Sequence, residues 1–460
     1  MSPKNVSRQL VSNDFAIYAA FFASGMAGLI YEISWSRQIG LLFGHTAHAS
    51  AIVIACFFTG MALGYALAAR YIRWGPALRS YAIAEWIVAG WACLVPFLLD
   101  LLKLPFPAEL LHHASFQVQT MVRLGVCFLI LLPATVGLGA TLPFIAEYLS
   151  PENAPAPRRI ARAYAINTLG ALLGVVLATA VLFLTVGVRG SGWLAAAISA
   201  LSGWVVFQQS KKPDRPRSKA GKPPKSRGAK HLGNTPTQRE PAFLWPCLAI
   251  LSGFGTLALQ VLYIHLFALV LHNSTYTFGA VLIVFLGGLA IGASLAHRLL
   301  KRYRVRSVMA WACMLSAVTL TLSLGLFLLA TRLESFDHGQ SFAGHMVAVI
   351  ALVAMVVGPS IVLLGLILPV TWYGATQGHQ GSGRVVGTLT AANTLASTVG
   401  SLLAAFVLIP VIGVWTSFLA VAATFFVSGA ALIWKESKRT PVLATGVLSL
   451  CLGTGALLGL

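Results

Sequence analysis

The sequence predicts an all-α polytopic membrane protein built from two parallel six-helix repeats, plus one extra C-terminal apolar helix. Three observations predict this fold class. Hydrophobic residues make up 57% of the 460 residues and charged residues only 10%, whereas about a quarter of the residues in soluble domains are charged. Apolar runs of about 20 residues, the length that crosses a bilayer core, recur along the chain. The second half of the chain also repeats the first.

The repeat is clearest in residues 24–70, which read SGMAGLIYEISWSRQIGLLFGHTAHASAIVIACFFTGMALGYALAAR. Residues 252–298 repeat this passage without a gap, as SGFGTLALQVLYIHLFALVLHNSTYTFGAVLIVFLGGLAIGASLAHR. Later in each half, AYAINTLGALLG corresponds to LTAANTLASTVG, which places Asn167 on Asn393. Six spans in each half, joined through a cytoplasmic segment, give the two repeats the same orientation in the membrane.

Apolar runs and polar connections divide the chain into five segments. We expect a cytoplasmic tail at 1–14, a first six-helix repeat at 15–207, a second at 242–434, and a basic loop with an extra transmembrane helix at 435–460. Residues 208–241 are too rich in Lys, Arg, Pro, Gly and Ser to fold alone, which predicts a basic flexible linker. Basic loops stay in the cytoplasm. This predicts a cell (inner) membrane protein whose N-terminus and linker are cytoplasmic.

The charge and the motifs exclude several functional classes. The formal net charge of +20 comes from Lys and Arg in connecting segments, which is typical of cytoplasmic loops and not of nucleic-acid binding. The six cysteines lie mostly in apolar runs without paired spacing, so neither a disulfide framework nor a zinc site is indicated. No glycine-rich phosphate loop, HExxH or CxxC motif is present. We therefore expect no cofactor and no metal, and the chain carries no motif that favours an enzyme.

Glu32 is the first candidate site residue, because it interrupts the first apolar span. A carboxylate inside a span costs about 2.5–3.5 kcal/mol, so such residues usually face the protein interior or water. One interpretation is a site for a cation or a proton. The other is a structural hydrogen bond to Arg37, Gln260 or the backbone. In the repeat Glu32 becomes Gln260, so the scaffold is duplicated while its ionisable group is not.

Trp35 and Arg37 follow Glu32 near the end of the same span. Arg37 lies five residues after Glu32, so the two side chains do not share a helix face. Anchoring of Trp35 and Arg37 at the membrane surface is one interpretation, and a part in substrate binding is the other. The repeat replaces them with Tyr263 and His265.

Glu85 and the two asparagines complete the candidates. Glu85 has no acidic counterpart in the second half, and it either faces an inner cavity or lies at the inner membrane surface. Asn167 and Asn393 suit hydrogen bonds between helices, with ligand binding as the alternative. The full set of candidate substrate- or ion-binding residues is Glu32, Glu85, Trp35, Arg37, Gln260, Asn167 and Asn393.

Paired prolines mark one span of each half. Pro133 and Pro143 recur as Pro359 and Pro369, and Gly139 between the first pair recurs as Gly365 between the second. This spacing predicts either helices kinked for packing or helices interrupted so that backbone carbonyls face a central site.

Several of these stretches carry a family resemblance. The segments GLIYEISWSRQIGLLFG, FFTGMALGYALAAR and AYAINTLGALLG resemble the membrane portion of the fused MFS/spermidine synthase family, as does LTAANTLASTVGSLLAAFVLIPVIG. The resemblance covers residues 15–435, and two parallel repeats are similar to the two halves of major-facilitator carriers. Family members often carry a soluble aminopropyltransferase domain, which nothing in this sequence matches. At matching positions the resemblance implies functional roles for Glu32, Trp35, Arg37, Glu85 and Asn167.

Two hypotheses of function are compatible with these features. The first is a carrier for a small amine of polyamine type, or for another cationic solute, in which intramembrane acids handle the cation or a proton. The second is a non-transporting scaffold in the bilayer that anchors a separately encoded soluble synthase or a larger membrane complex. Intramembrane acids confined to one repeat favour the carrier, and the basic linker with the odd last span favours the scaffold.

Overall fold

The computed structural model describes the backbone of residues 3–43, 47–72, 75–101, 115–150, 156–211, 243–271, 275–334, 341–376 and 382–434. Every regular element in these ranges is a helix. The expected extra helix within 435–460 and most of the expected linker at 208–241 lie outside the described residues.

Six helices form the first half. In chain order, α1 to α6 span Pro3–Phe43, Ala47–Tyr71, Ala77–Leu101, Phe116–Tyr148, Ala156–Leu177 and Gly187–Ser210. Helix α1 already begins at Pro3, inside the segment expected as a tail at 1–14. Proline fits the first turn of a helix, where its missing N–H has no intrahelical partner to lose.

Six helices also form the second half within the described part of the chain. In order, α7 to α12 span Leu244–Ala268, Thr275–Leu299, Val305–Thr331, Phe342–Thr376, Ser382–Leu403 and Ile409–Trp434. The paired prolines lie inside α4 and α10, and both helices run on through them. The alternative of an interrupted helix is therefore wrong for this pair of spans.

The two halves share an unusual connection between their last two helices. Each fifth helix of a half ends in a π-helical turn, Ala178–Leu182 after α5 and Ala404–Leu408 after α11. A glycine with positive φ follows, Gly187 at 71° and Gly413 at 77°, a conformation that glycine adopts without a Cβ clash. The duplication seen in the sequence thus extends to these local distortions.

The helices suit a membrane. Eleven helical stretches in the described residues are long and apolar enough to cross one, and the last, Gly383–Ile433, has 51 residues. Gly413 breaks that stretch, and its length is sufficient for two crossings at about 1.5 Å per residue. Large apolar side chains such as Phe97, Leu329 and Val427 point outward, as contact with lipid requires. The prediction of an all-α polytopic membrane protein is confirmed.

The packing divides into two bundles and an interface. Within the first half α1 contacts α5 and α6, and α3 contacts α4 and α6; the second half repeats the arrangement with α7, α11, α9, α10 and α12. The halves meet mainly where α2 packs on α11 and where α5 packs on α8. Helices α3, α6, α9 and α12 contribute little to that interface, so the space between the halves is bordered by the other eight helices.

Candidate functional site

Two asparagines form hydrogen bonds between helices that border the space between the two halves. The side-chain amide of Asn167 donates to the carbonyl oxygen of Phe21 at 2.8 Å, and Asn393 donates to the carbonyl of Ala249 at the same distance. Both bonds join equivalent residues of the two repeats. The predicted hydrogen bonds between helices are present.

Glycines allow these helices to touch. A Cβ on Gly25 would overlap the backbone of Asn167, and a Cβ on Gly253 would overlap that of Asn393. The second packed pair of each half has the same feature, because Gly64 lies against Val136 and Gly292 against Val362. Small residues at such contacts are typical of membrane helices. The helices that form the wall of the central space are therefore in close backbone contact in both halves.

A cavity of about 220 Å³ lies between the halves. Eight helices line it: α1, α2, α4 and α5 from the first half, and α7, α8, α10 and α11 from the second. Many lining residues occupy equivalent positions, and these pairs are Ser24 with Ser252, Phe57 with Phe285, Asn167 with Asn393, and Thr168 with Thr394. The volume suits a small solute, since sites for drug-sized ligands measure about 300–1,000 Å³.

Glu32 breaks this symmetry. Its side chain lines the cavity opposite the place that Gln260 takes in the second half, and both residues are more than nine-tenths buried. The carboxylate of Glu32 makes no hydrogen bond or ion pair with another described residue. Among the lining residues there is no other acid and no Lys, Arg or His. The described residues of the cavity wall therefore offer one carboxylate and no positive side chain.

Aromatic rings and hydroxyl groups make up much of the remaining wall. The aromatic residues that line the cavity are Phe21, Phe57, Phe58, Tyr65, Tyr164 and Phe285. The faces of such rings attract cations. Lining hydroxyl and amide groups, among them Thr256 and Thr390, add hydrogen-bonding positions for a polar solute.

The halves also contact each other at the end of the cavity where α2 ends and α11 begins. The ring of Tyr164 meets Trp372 edge-on, with centroids 5.1 Å apart. The backbone N–H of Gly383 donates to the carboxylate of Glu147 at 3.2 Å. A solute that enters or leaves at this end requires these contacts to separate.

Glu85 lies outside the cavity. It is completely buried, on a helix that packs against α4 and α6. The hydroxyl groups of Ser24, Tyr81 and Ser199 lie near its carboxyl group, but neither carboxyl oxygen has a well-aligned hydrogen bond to a described residue. Sequence reasoning predicted a role for Glu85 but missed the hydroxyl groups that surround it.

Trp35 and Arg37 also lie away from the cavity. Trp35 is completely buried and stacks on Tyr31, with ring centroids 4.9 Å apart. The interpretation of Trp35 as an anchor at the membrane surface is therefore wrong, because the helix turns this ring into the first-half core. Arg37 is exposed, and its guanidinium lies 5.4 Å from the ring centroid of Phe183.

Comparison with known proteins adds a family and a fold. A sequence model of the Major Facilitator Superfamily matches residues 120–378. A bacterial homologue of the iron transporter ferroportin, in an outward-facing state, has a similar structure, with a TM-score of 0.61 and 15% identity, covering 92% of this chain and 100% of that one. The E. coli fucose:proton symporter FucP has a similar structure, with a TM-score of 0.59 and 14% sequence identity, and the match covers 92% of this chain and 98% of FucP. The proton:xylose symporter XylE also has a similar structure, with a TM-score of 0.55 and 14% sequence identity, and the match covers 92% of this chain and 96% of XylE. No curated protein sequence matches the chain.

Proposed function

The chain belongs to the Major Facilitator Superfamily and is a multi-pass membrane transporter, and from that premise we propose that its central cavity carries a small cationic solute, an amine of polyamine type. The observation that carries the proposal is Glu32, which is the one acid among the described residues that line the cavity, and these include no basic group. A carboxylate held there without a partner attracts a positive charge strongly, because the surroundings screen it weakly.

The rest of the wall suits the same class of solute. An organic ammonium group next to Glu32 would meet aromatic faces from both halves, such as Phe57 and Phe285. Its N–H groups could donate to lining oxygens, namely the side-chain amide oxygens of Gln260, Asn167 and Asn393. We therefore assign Glu32 to charge recognition and these three residues to orientation.

The resemblance to the membrane portion of the fused MFS/spermidine synthase family narrows the choice of amine. Its members often join a membrane part to an aminopropyltransferase, an enzyme of polyamine synthesis, so putrescine and spermidine are the first amines to test. We also propose a cell (inner) membrane location, with the N-terminus and the basic linker at 208–241 in the cytoplasm. The reason is that connecting segments rich in Lys and Arg are retained on the cytoplasmic side of a membrane.

Ligand-dependent thermal stability tests the proposal. Purified protein is heated with putrescine, spermidine, fucose or xylose, using wild type, Glu32→Gln, and Glu334→Gln as a control that removes an exposed acid outside the cavity. A ligand that binds the folded state raises the melting temperature. We expect a saturable shift with an amine in wild type and Glu334→Gln. Loss of a charged hydrogen bond worth about 1.5–3 kcal/mol should weaken binding by about 10- to 100-fold in Glu32→Gln.

Uptake of labelled putrescine into proteoliposomes separates the carrier from the scaffold. A carrier moves the amine into vesicles that contain wild type and not into those that contain Glu32→Gln. A shift produced by the sugars alone, or an amine shift of equal size in Glu32→Gln, contradicts the proposed substrate class. Well-folded protein that responds to no solute and moves none, and that copurifies with a synthase, would favour the scaffold.

A further inference from the structure

A second buried acid lies close to the cavity but does not line it. The carboxyl group of Glu85 is completely buried, and neither of its oxygens accepts or donates a well-aligned hydrogen bond among the described residues. A buried carboxylate without a partner is costly unless it carries a proton or meets a cation. Both oxygens are sealed from solvent, which leaves the proton as the ligand that needs no additional space.

The hydrogen bonds around Glu85 suit a protonated carboxyl group. The hydroxyl of Ser202 donates to the carbonyl oxygen of Ala20 at 2.9 Å. Because its one proton is used there, its 3.1 Å bond with Tyr81 must be donated by the Tyr81 hydroxyl. Tyr81 therefore presents only lone pairs to Glu85, and these can accept a proton that the acid donates.

Within the described part of the chain, no positive group offsets a charge at Glu85. The titratable groups that face it are the phenols of Tyr31 from α1 and Tyr81 from α3 itself. Helix α6 faces it with Ser199, and α4 packs beside it through Gly137 against Ala84. Among the described residues, no Lys, Arg or His interacts with its carboxyl group.

The second half shows that the scaffold does not require this polar group. Gly203 of α6 packs on Ala82 and Trp86, and the equivalent Gly429 of α12 packs on Ala310 and Met314. This match puts Cys313 in the place of Glu85. The residues in the places of Tyr31, Tyr81, Glu85 and Ser199 are all apolar and buried: Leu259, Met309, Cys313 and Phe425.

Ser24 connects the buried acid with the cavity. Its side chain lies near Glu85 and also lines the central cavity. We propose that Glu85 is a proton-binding site that exchanges its proton with the central cavity through the hydroxyl of Ser24. In the outward step, the Glu85 O–H bond breaks, Ser24 Oγ accepts that proton, and Ser24 releases its own proton to water in the cavity. One proton leaves and the carboxylate remains.

The site would let a proton gradient drive solute movement, and that use rests on the proposed transport function. The existence of the proton-binding site does not depend on the transport function, so the experiment needs no solute. Infrared difference spectroscopy of the reconstituted full chain, titrated with buffer alone, detects the C=O stretch of a protonated carboxylic acid. We expect a protonated-acid band in wild type that disappears as the pH is raised. Because Glu32 is also a buried acid, the assignment is made in the Glu32→Gln background. The band should be retained in Glu32→Gln and lost when Glu85→Gln is added to it.

Kinetic measurements then test the route. After a rapid pH jump, Ser24→Ala should lose the band at least tenfold more slowly than wild type. Ser252→Ala, the equivalent change in the second half, should lose it at the wild-type rate. Glu85→Met supplies a second variant without the acid if Glu85→Gln folds poorly, because the equivalent region of the second half is packed with apolar residues.

Three results would overturn the inference. One is a titrating band that survives in the Glu32→Gln background when either Glu85 variant is added. Another is the absence of a protonated-acid band at every pH. The third is a band that responds to Na⁺ at constant pH, which would make Glu85 a metal-cation site. Failure of every amine to bind would contradict the proposed substrate and would leave the band assignment unchanged.

Discussion

The two halves of the molecule share a scaffold and differ in the ionisable groups that it carries. Each half joins its first and fifth helices with an asparagine that donates to a backbone carbonyl, Asn167 to Phe21 and Asn393 to Ala249. The halves differ where the groups are ionisable. The first half places Glu32 in the cavity and Glu85 behind it, and the second places Gln260 and Cys313 at these positions. The shared features therefore reflect the architecture, and the unshared ones point to function.

The largest effect should come from the glycines that the halves share. Gly25→Val and Gly253→Val should each cost about 3 kcal/mol or more, or prevent folding, because a side chain there overlaps the backbone of Asn167 or Asn393 and overpacking is destabilising. Folded yield and melting temperature measure the effect. Gly90→Val and Gly325→Val are the matched controls, since a Cβ at these glycines meets no atom within 4 Å. Unequal losses between the halves would break the equivalence of their scaffolds.

A smaller effect of opposite sign is expected at the unshared acid. Glu85→Met should leave the melting temperature unchanged or raise it, because replacing a buried ionisable group by an apolar one is often neutral or stabilising by about 1–4 kcal/mol. Cys313→Glu is the mirror experiment. It should lower the melting temperature, because the acid would enter an apolar core. A strong loss of stability in Glu85→Met would show that the polar group is structural.

The smallest effect concerns the shared hydrogen bonds. Asn167→Ala and Asn393→Ala each remove one bond of 2.8 Å to a backbone carbonyl, and each should cost about 0.5–1.5 kcal/mol. Unfolding in a graded denaturant series measures both. Equal costs support the view that both asparagines hold helices together. A much larger loss of amine binding in one variant, at equal stability, would assign that asparagine a specific role in recognition.

Much of this architecture could be predicted because the membrane constrains the sequence so strongly. A span needs about 20 apolar residues, so helix number and approximate ends follow from the apolar runs. The repeat placed Glu32 and Gln260 at equivalent positions before their common cavity was known. The continuous course of α4 through Pro133 and Pro143 could not be decided, because neighbouring helices can compensate for a proline in a span.

Which face of each helix is buried was much harder to predict. Lipid and protein interior are both apolar, so hydropathy does not tell them apart. Trp35 suits a membrane surface by residue type, yet it is stacked on Tyr31 inside the first half. Tyr31, Tyr81 and Ser199 also stand in apolar runs without a local signal. Their replacement in the repeat by Leu259, Met309 and Phe425 is the signal that could have revealed the group around Glu85.

The most direct test moves the cavity acid from one half to the other. The melting-temperature shift caused by putrescine is measured for wild type, for Glu32→Gln, and for the double variant Glu32→Gln with Gln260→Glu. If a single carboxylate in a nearly symmetric cavity recognises the cation, the shift at a fixed putrescine concentration is large in wild type, much smaller in Glu32→Gln and restored in the double variant. A full shift in Glu32→Gln, or none in a well-folded double variant, would contradict the account.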